Sequence, residues 1–84
     1  MYFVYFASSF KNKKVYVGST SKKPAERIEE HNIGTNAWSK SNGPFKLVYY
    51  EEYFCKQDAL RKETFYKSGF GRQVKSAIIN SLNL

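Results

Sequence analysis

The chain opens with a run of aromatic and β-branched residues, Tyr2 to Ser9, and resumes that composition from Val15 to Ser19 after a polar, basic turn at Lys11 to Lys14. Two such runs joined by a short polar turn predict a β-hairpin. Pro24 suits the first turn of a helix, which does not use the N–H that proline lacks; Glu26 stands near the positive end of its dipole and Gly34 is placed to stop it. A helix over 24–33 follows. From Gly34 to Pro44 the residues are mainly Gly, Asn, Ser and Thr, with Trp38 and Lys40 among them, which predicts an exposed connection able to touch a ligand. Strand composition returns from Phe45 to Glu52, and helix formers fill Lys56 to Ser68. Gly69 and Gly71 break that helix, after which Val74, Ala77, Ile78, Ser81 and Leu82 recur at helical spacing. The order β-β-α-β-α-α, with neither repeat nor linker, predicts an α+β fold in one domain, residues 1–84, with a three-stranded sheet flanked by helices.

Composition narrows the picture. With 84 residues, 42% of them hydrophobic and 18% aromatic, there is material for one small core and not for two. Cys55 is the sole cysteine, which rules out an intramolecular disulfide, fits a reducing compartment and reads as a small core residue. The apolar start is too short to span a bilayer and lacks the basic beginning of a signal peptide, so a cytoplasmic location is expected. A net charge of +7 favours polyanionic partners. With no basic amphipathic helix and no lipidation signal, nucleic acid is favoured over a membrane. Charge alone fits a merely soluble lysine-rich protein equally well, so individual residues must decide.

Tyr5 and Tyr16 stand on one face of the hairpin if residue 5 pairs with residue 16, and remain diagonal neighbours if the register moves by two; a slip of one separates them. Each alone is an ordinary strand residue whose ring fills a core edge. Arg27 and His31, four apart on the first helix, share a face and can reach the same phosphate, although Arg27 can equally pair with Glu26 or Glu30 in solvent. Glu63 falls on the stripe of Ala59, Leu60, Tyr66 and Phe70. An inward carboxylate needs a cation, either Lys67 one turn on or a metal ion. After Tyr16-Val17-Gly18, the glycine permits close backbone approach, and Ser19, Thr20, Lys22 and Lys23 supply donors for a phosphate-contacting edge or for an ordinary polar turn.

Taken together, Phe3-Val4-Tyr5, Tyr16-Val17-Gly18, Arg27, His31 and Glu63 resemble the GIY-YIG nuclease family in order and spacing. The segments 16–20, 46–52 and 67–72 are similar to its small stand-alone bacterial members, which in turn resemble the nuclease domain of the excinuclease C subunit. The resemblance covers residues 2–75 and implies an antiparallel three-stranded sheet and metal-dependent endonuclease hydrolysis of DNA, with RNA as an alternative substrate and a non-catalytic adaptor as the rival class. Phe3 stands where the first tripeptide carries glycine. For the polar residue that many members have near the end of the domain, only Asn80 and Asn83 are available.

What the resemblance implies chemically is a site in which Glu63 binds one Mg²⁺ or Mn²⁺ that stabilises the departing 3′ oxygen, and Arg27 offsets transition-state charge. Tyr16 accepts the proton of the attacking water, while Tyr5 and His31 hold or polarise the nucleophile and phosphate. Since an ordinary tyrosine ionises near pH 10, cations must favour the phenolate or His31 must relay the proton. Lys13, Lys14, Lys22, Lys23, Lys62, Lys67 and Arg72 are the candidate contacts to nucleic-acid phosphates. Repair and the processing of branched or damaged DNA are the expected settings.

Overall fold

The computed structural model describes residues 1–33 and 37–82; Gly34, Asn83 and the side chain of Trp38 lie outside the described part. The elements are β1 (Tyr2–Ser9), β2 (Val15–Thr20), α1 (Pro24–Ile33), α2 (Ala37–Asn42), β3 (Phe45–Tyr53), α3 (Lys56–Lys67) and α4 (Gly69–Ser81). The three strands form an antiparallel sheet in the order β2-β1-β3, as an α+β fold requires of this pattern. Among the described residues no helix is long and apolar enough to cross a membrane.

β1 is the central strand, which accounts for its unbroken apolar run: a strand covered on both faces needs no polar alternation. Val4 and Phe6 point to one layer and pack with Ala59 and Tyr66 of α3 and with Val74, Ile78 and Ile79 of α4. Tyr5 and Ala7 point to the other, with Ile28 of α1 and with Phe45. The register of β1 and β3 shifts between Phe6 and Ala7, which pair with Tyr49 and Leu47. This bulge at Val48 reverses the facing of everything before it, so that Leu47 and Phe45 turn toward α1 rather than toward α3.

Three expectations are corrected. The 34–44 segment is not wholly an exposed connection: it carries α2, and Ser39 within it is buried. Its polar residues are absorbed by local bonds, such as Gly43 N–H to the Ser39 carbonyl at 2.8 Å, which composition does not reveal. The helix does break here, between Lys67 and Gly69, and a further helix follows as expected, but Gly69 and Gly71 lie in the first turn of α4 rather than between the two helices. Ser68 caps α4, its hydroxyl accepting from Gly71 N–H at 3.2 Å, and Gly71 sits inside the helix because a Cβ there would fall 1.6 Å from the Phe65 carbonyl oxygen. The glycine is required by close approach of α4 to α3. Cys55 is exposed at the start of α3 instead of filling the core.

Opposite the α1 layer, Glu51 of β3 accepts hydrogen bonds from Tyr49 and Tyr53, each at 2.6 Å, and from Tyr66. Burial works to raise this carboxyl, but the phenol donors outweigh it and hold it below the usual carboxylate range, while the Tyr49 hydroxyl is pushed up to about 12 by burial and by the carboxylate. The cluster ties the end of β3 to α3, and Tyr66 has almost no exposed surface. Glu51→Ala leaves these phenols without their acceptor and is expected to cost about 2 kcal/mol, lowering Tm by roughly 10 °C in thermal unfolding. Because the folded carboxyl is depressed, this stabilisation is present above the unfolded carboxylate value near 4.3 and fades as pH falls through the lower folded one.

Candidate active site

The hairpin register sets the geometry. Tyr5 pairs with Gly18 and Ala7 with Tyr16, so the two tyrosines are diagonal neighbours on the α1 face. A Cβ built on Gly18 would lie 2.4 Å from the Tyr5 hydroxyl oxygen and 2.6 Å from its Cζ. The phenol of Tyr5 therefore crosses β2 over Gly18 and delivers its hydroxyl toward the free edge of the sheet. There it meets Nε2 of His31 at 3.2 Å. Asn32, the next residue of α1, fixes that helix end: its amide donates to the Phe45 carbonyl at 2.9 Å and accepts from Phe45 N–H at 2.7 Å. The ring of Phe45, turned inward by the β3 bulge, packs edge-on against both Tyr16 and His31, each with centroids 5.8 Å away.

Glu63 arrives from the other layer. Along β2, Tyr16 and Gly18 face α1 while Val17 and Ser19 face α3, and Ser19 Oγ donates to Glu63 Oε1 at 2.6 Å. Oε2 accepts from Lys67 at 2.7 Å. Leu60 and Phe70, expected to share an inward stripe with Glu63, are 43% and 69% exposed, so that stripe narrows to Ala59, Glu63 and Tyr66. Because β2 is an edge strand, the two layers communicate around it. Tyr5, Tyr16, Arg27, His31 and Glu63 all line one cleft of about 470 Å³ along that edge, joined by Lys67, Arg72 and Lys75.

Charge states follow from this packing. Burial, together with Arg27, lowers His31 from its ordinary value, so the imidazole is neutral at pH 7. Burial raises Tyr5 despite the opposing pull of Arg27, which keeps its phenol protonated. Burial also works to raise Glu63, yet donation from Lys67 and Ser19 prevails and holds it low and ionised. Arg27 is braced by Glu30 at 3.0 Å, and Glu30 also accepts from Lys22. Among the described residues the cleft thus presents one anion, Glu63, amid several cations, with a neutral imidazole bonded to a neutral phenol.

A model of the GIY-YIG catalytic domain matches residues 1–76. The chain belongs to the GIY-YIG family. It is 39% identical over 70 residues to UPF0213 protein SH2523 of Staphylococcus haemolyticus, covering 82% of this chain and 83% of that protein. It is 33% identical over 75 residues to UPF0213 protein CPE1444 of Clostridium perfringens, covering 88% and 78%. No solved structure matches. Membership in GIY-YIG makes this a protein of a nuclease family; the names of the relatives add no substrate.

Within this GIY-YIG domain, Phe3 replaces the family glycine without entering the cleft, packing edge-on against Tyr50 at 5.9 Å instead. Of the basic residues, Lys67 and Arg72 border the cleft. Lys22 is paired with Glu30 in an adjoining hollow that shares Ser19 and Arg27. Lys13 and Lys14 lie in the exposed hairpin turn, Lys23 borders a separate hollow near Pro24, and Lys62 sits over the rings of Phe65 and Tyr66 at 5.2 and 5.3 Å. Lys75 was missed by sequence reasoning. Its ammonium, lowered by burial and by Arg72, donates to the Val15 carbonyl at 3.0 Å, and only its spacing of three from Arg72 on α4 hinted at a shared face. Asn80, offered for the late polar position, is exposed and off the cleft; Arg72 and Lys75 are the α4 residues that reach it.

The donors suit a hard cation. Glu63 stands beside the Ser19 hydroxyl in a cleft also lined by the Tyr5 and Tyr16 phenols, all oxygen donors, and no three His, Cys, Asp or Glu side chains cluster among the described residues, so an ion here would keep most of its waters. Lys67, 56% exposed, is free to swing aside from the carboxylate when an ion takes its place.

His31 is the sole histidine, so its imidazole reports directly on the cleft. An NMR titration is expected to place its midpoint below the ordinary value of about 6.5. Arg27→Ala removes a repelling charge and should move the midpoint upward. Gly18→Ala, by displacing the Tyr5 phenol, should change the His31 ring shifts while the backbone spectrum stays folded.

Proposed function

We propose that this protein is a divalent-metal-dependent endonuclease that hydrolyses DNA phosphodiester bonds, working as one domain over residues 1–84 in the cytoplasm, in the repair or processing of branched or damaged DNA. The observation that carries the reading is the arrival of Arg27, His31, Tyr5 and Glu63, from two layers of the fold, at one cleft along the free edge of β2. Such a cleft suits a single phosphate of a flexible chain with its neighbours running along the strand edge.

In the proposed reaction, water attacks phosphorus and the bond to the 3′ oxygen breaks. Tyr5 donates its proton to Nε2 of neutral His31 as it takes one from the water, so the proton leaves by a titratable acceptor already in hydrogen-bond reach. Arg27 faces the developing charge on the phosphate oxygens, with Glu30 fixing its orientation. Lys67, Arg72 and Lys75 hold flanking phosphates. Glu63 would hold Mg²⁺ or Mn²⁺, which when bound supplies charge neutralisation for the leaving oxygen. Tyr16 orients water or a phosphate oxygen.

Nicking of supercoiled plasmid with Mg²⁺ or Mn²⁺ tests this. Glu63→Ala is expected to lose cutting and keep DNA binding measured in EDTA; Arg27→Ala should lower turnover about 10³-fold with a smaller effect on binding. The acid limb of the rate profile should lie below about pH 6.5, the ordinary histidine value, and vanish in His31→Ala. A wild type that binds DNA yet nicks no duplex, flap, bubble or single strand would mark a non-catalytic adaptor, and preferential cutting of labelled RNA would reassign the substrate.

A further inference from the structure

The Tyr16 hydroxyl lies between two asparagines from distant parts of the chain. Asn12, in the hairpin turn, has its amide nitrogen 2.9 Å from the phenol oxygen and 3.2 Å from Asn42 Oδ1; the phenol is 3.1 Å from that same Asn42 oxygen. The orientation of each amide follows from its neighbours. Lys14 N–H donates to Asn12 Oδ1 at 3.0 Å, which identifies that atom as the acceptor and leaves Nδ2 toward Tyr16. Because Nδ2 can only donate, the Asn42 atom it meets is oxygen, and the phenol must give its own hydrogen to that oxygen. The joint beneath is fastened as well. Buried Ser9 donates to the Asn42 carbonyl and accepts from the N–H groups of Lys11 and Asn12 at 3.1 and 3.2 Å, and Phe10 N–H reaches the Pro44 carbonyl at 3.0 Å.

We propose that Asn12 and Asn42 are positioning residues, a clip between the hairpin turn and the end of α2 that fixes the Tyr16 hydroxyl at the cleft with its hydrogen on the Asn42 oxygen. An amide takes no proton at neutral pH. The clip therefore fits Tyr16 for orienting water or phosphate and leaves proton removal to Tyr5 and His31, whose partner can titrate. This reverses the roles that the family resemblance first suggested for the two tyrosines. The consequence for turnover rests on the nuclease reading; the clip itself does not.

The two asparagines play opposite parts, so one chemical change separates them. Asn12→Asp replaces the donor by an acceptor facing the phenol oxygen and is expected to lower kcat about tenfold, the worth of one hydrogen bond, with KM unchanged. Asn42→Ala should lower kcat similarly, and Asn42→Asp, which keeps the accepting oxygen, should recover it. In a Tyr16→Phe background, neither Asn12→Asp nor Asn42→Ala should lower kcat further. Independently of activity, the ring carbon bearing the hydroxyl, observed in tyrosine-labelled protein and assigned through Tyr16→Phe, should shift in Asn12→Asp and Asn42→Ala while the His31 resonances stay in place. If that carbon does not move, or if both Asp variants lose turnover equally, the clip is overturned. If it moves and no variant or wild type cuts nucleic acid, the clip stands and the nuclease reading falls.

Discussion

The absence of a side chain at Gly18 is the constraint on which the site depends. Tyr5 sits on the central strand, where its neighbours Val4 and Phe6 have no exposed surface, and a tyrosine there would ordinarily be sealed in the core. Tyr5 is buried too, yet it lines the cleft because residue 18, directly opposite on the edge strand, yields the space a Cβ would fill. A buried strand thus delivers a hydroxyl to the open edge of the sheet while its backbone stays fully paired. The pairing supplies rigidity and the edge supplies access.

The edge also reconciles the two layers. Side chains alternate along β2, so tyrosines and glutamate face opposite sides of the sheet, and within a wider sheet they would be separated by intervening strands. At the boundary they need only reach around one backbone. Ser19 bridges the turn, donating to Glu63 from the α3 side while its neighbour Gly18 lies beneath Tyr5 on the α1 side. The cations of α3 and α4, Lys67, Arg72 and Lys75, come to the same rim because Gly71 lets α4 rest on the Phe65 carbonyl at the end of α3. The field of the +7 chain is thereby concentrated around the Glu63 carboxylate.

The bulge in β3 has a similar effect at the back of the cleft. By reversing Phe45 and Leu47, it sets an aromatic wall against Tyr16 and His31 and helps to bury the imidazole. That burial lowers His31, so that a residue at a helix C-terminus, where the dipole alone would favour its charged form, stays neutral. Desolvation wins over the helix end because the ring is tucked against Phe45 and repelled by Arg27. Polar residues do the fastening: Asn32 grips the start of β3, and Ser9 grips the end of α2.

Strand and helix positions were legible in the sequence because they are local: apolar runs make β1 and β3, Pro24 starts α1, and helix formers fill α3. Spacing and family resemblance also singled out Tyr5, Tyr16, Arg27, His31 and Glu63 as candidates, and the fold brings all five to one cleft. Other features depend on contacts between residues far apart in the chain, and no local pattern encodes those. α2 emerges from a stretch with loop composition, and Lys75 is distinguished from other lysines only by the sheet edge beside it. Asn12 and Asn42 are thirty positions apart, each an ordinary turn residue until the fold brings both to one phenol. The sequence by itself determined which chemical groups exist and which helix or strand carries each. Only tertiary structure decided which of them touch, because register, the bulge and the glycine contacts set distances that composition and periodicity do not contain.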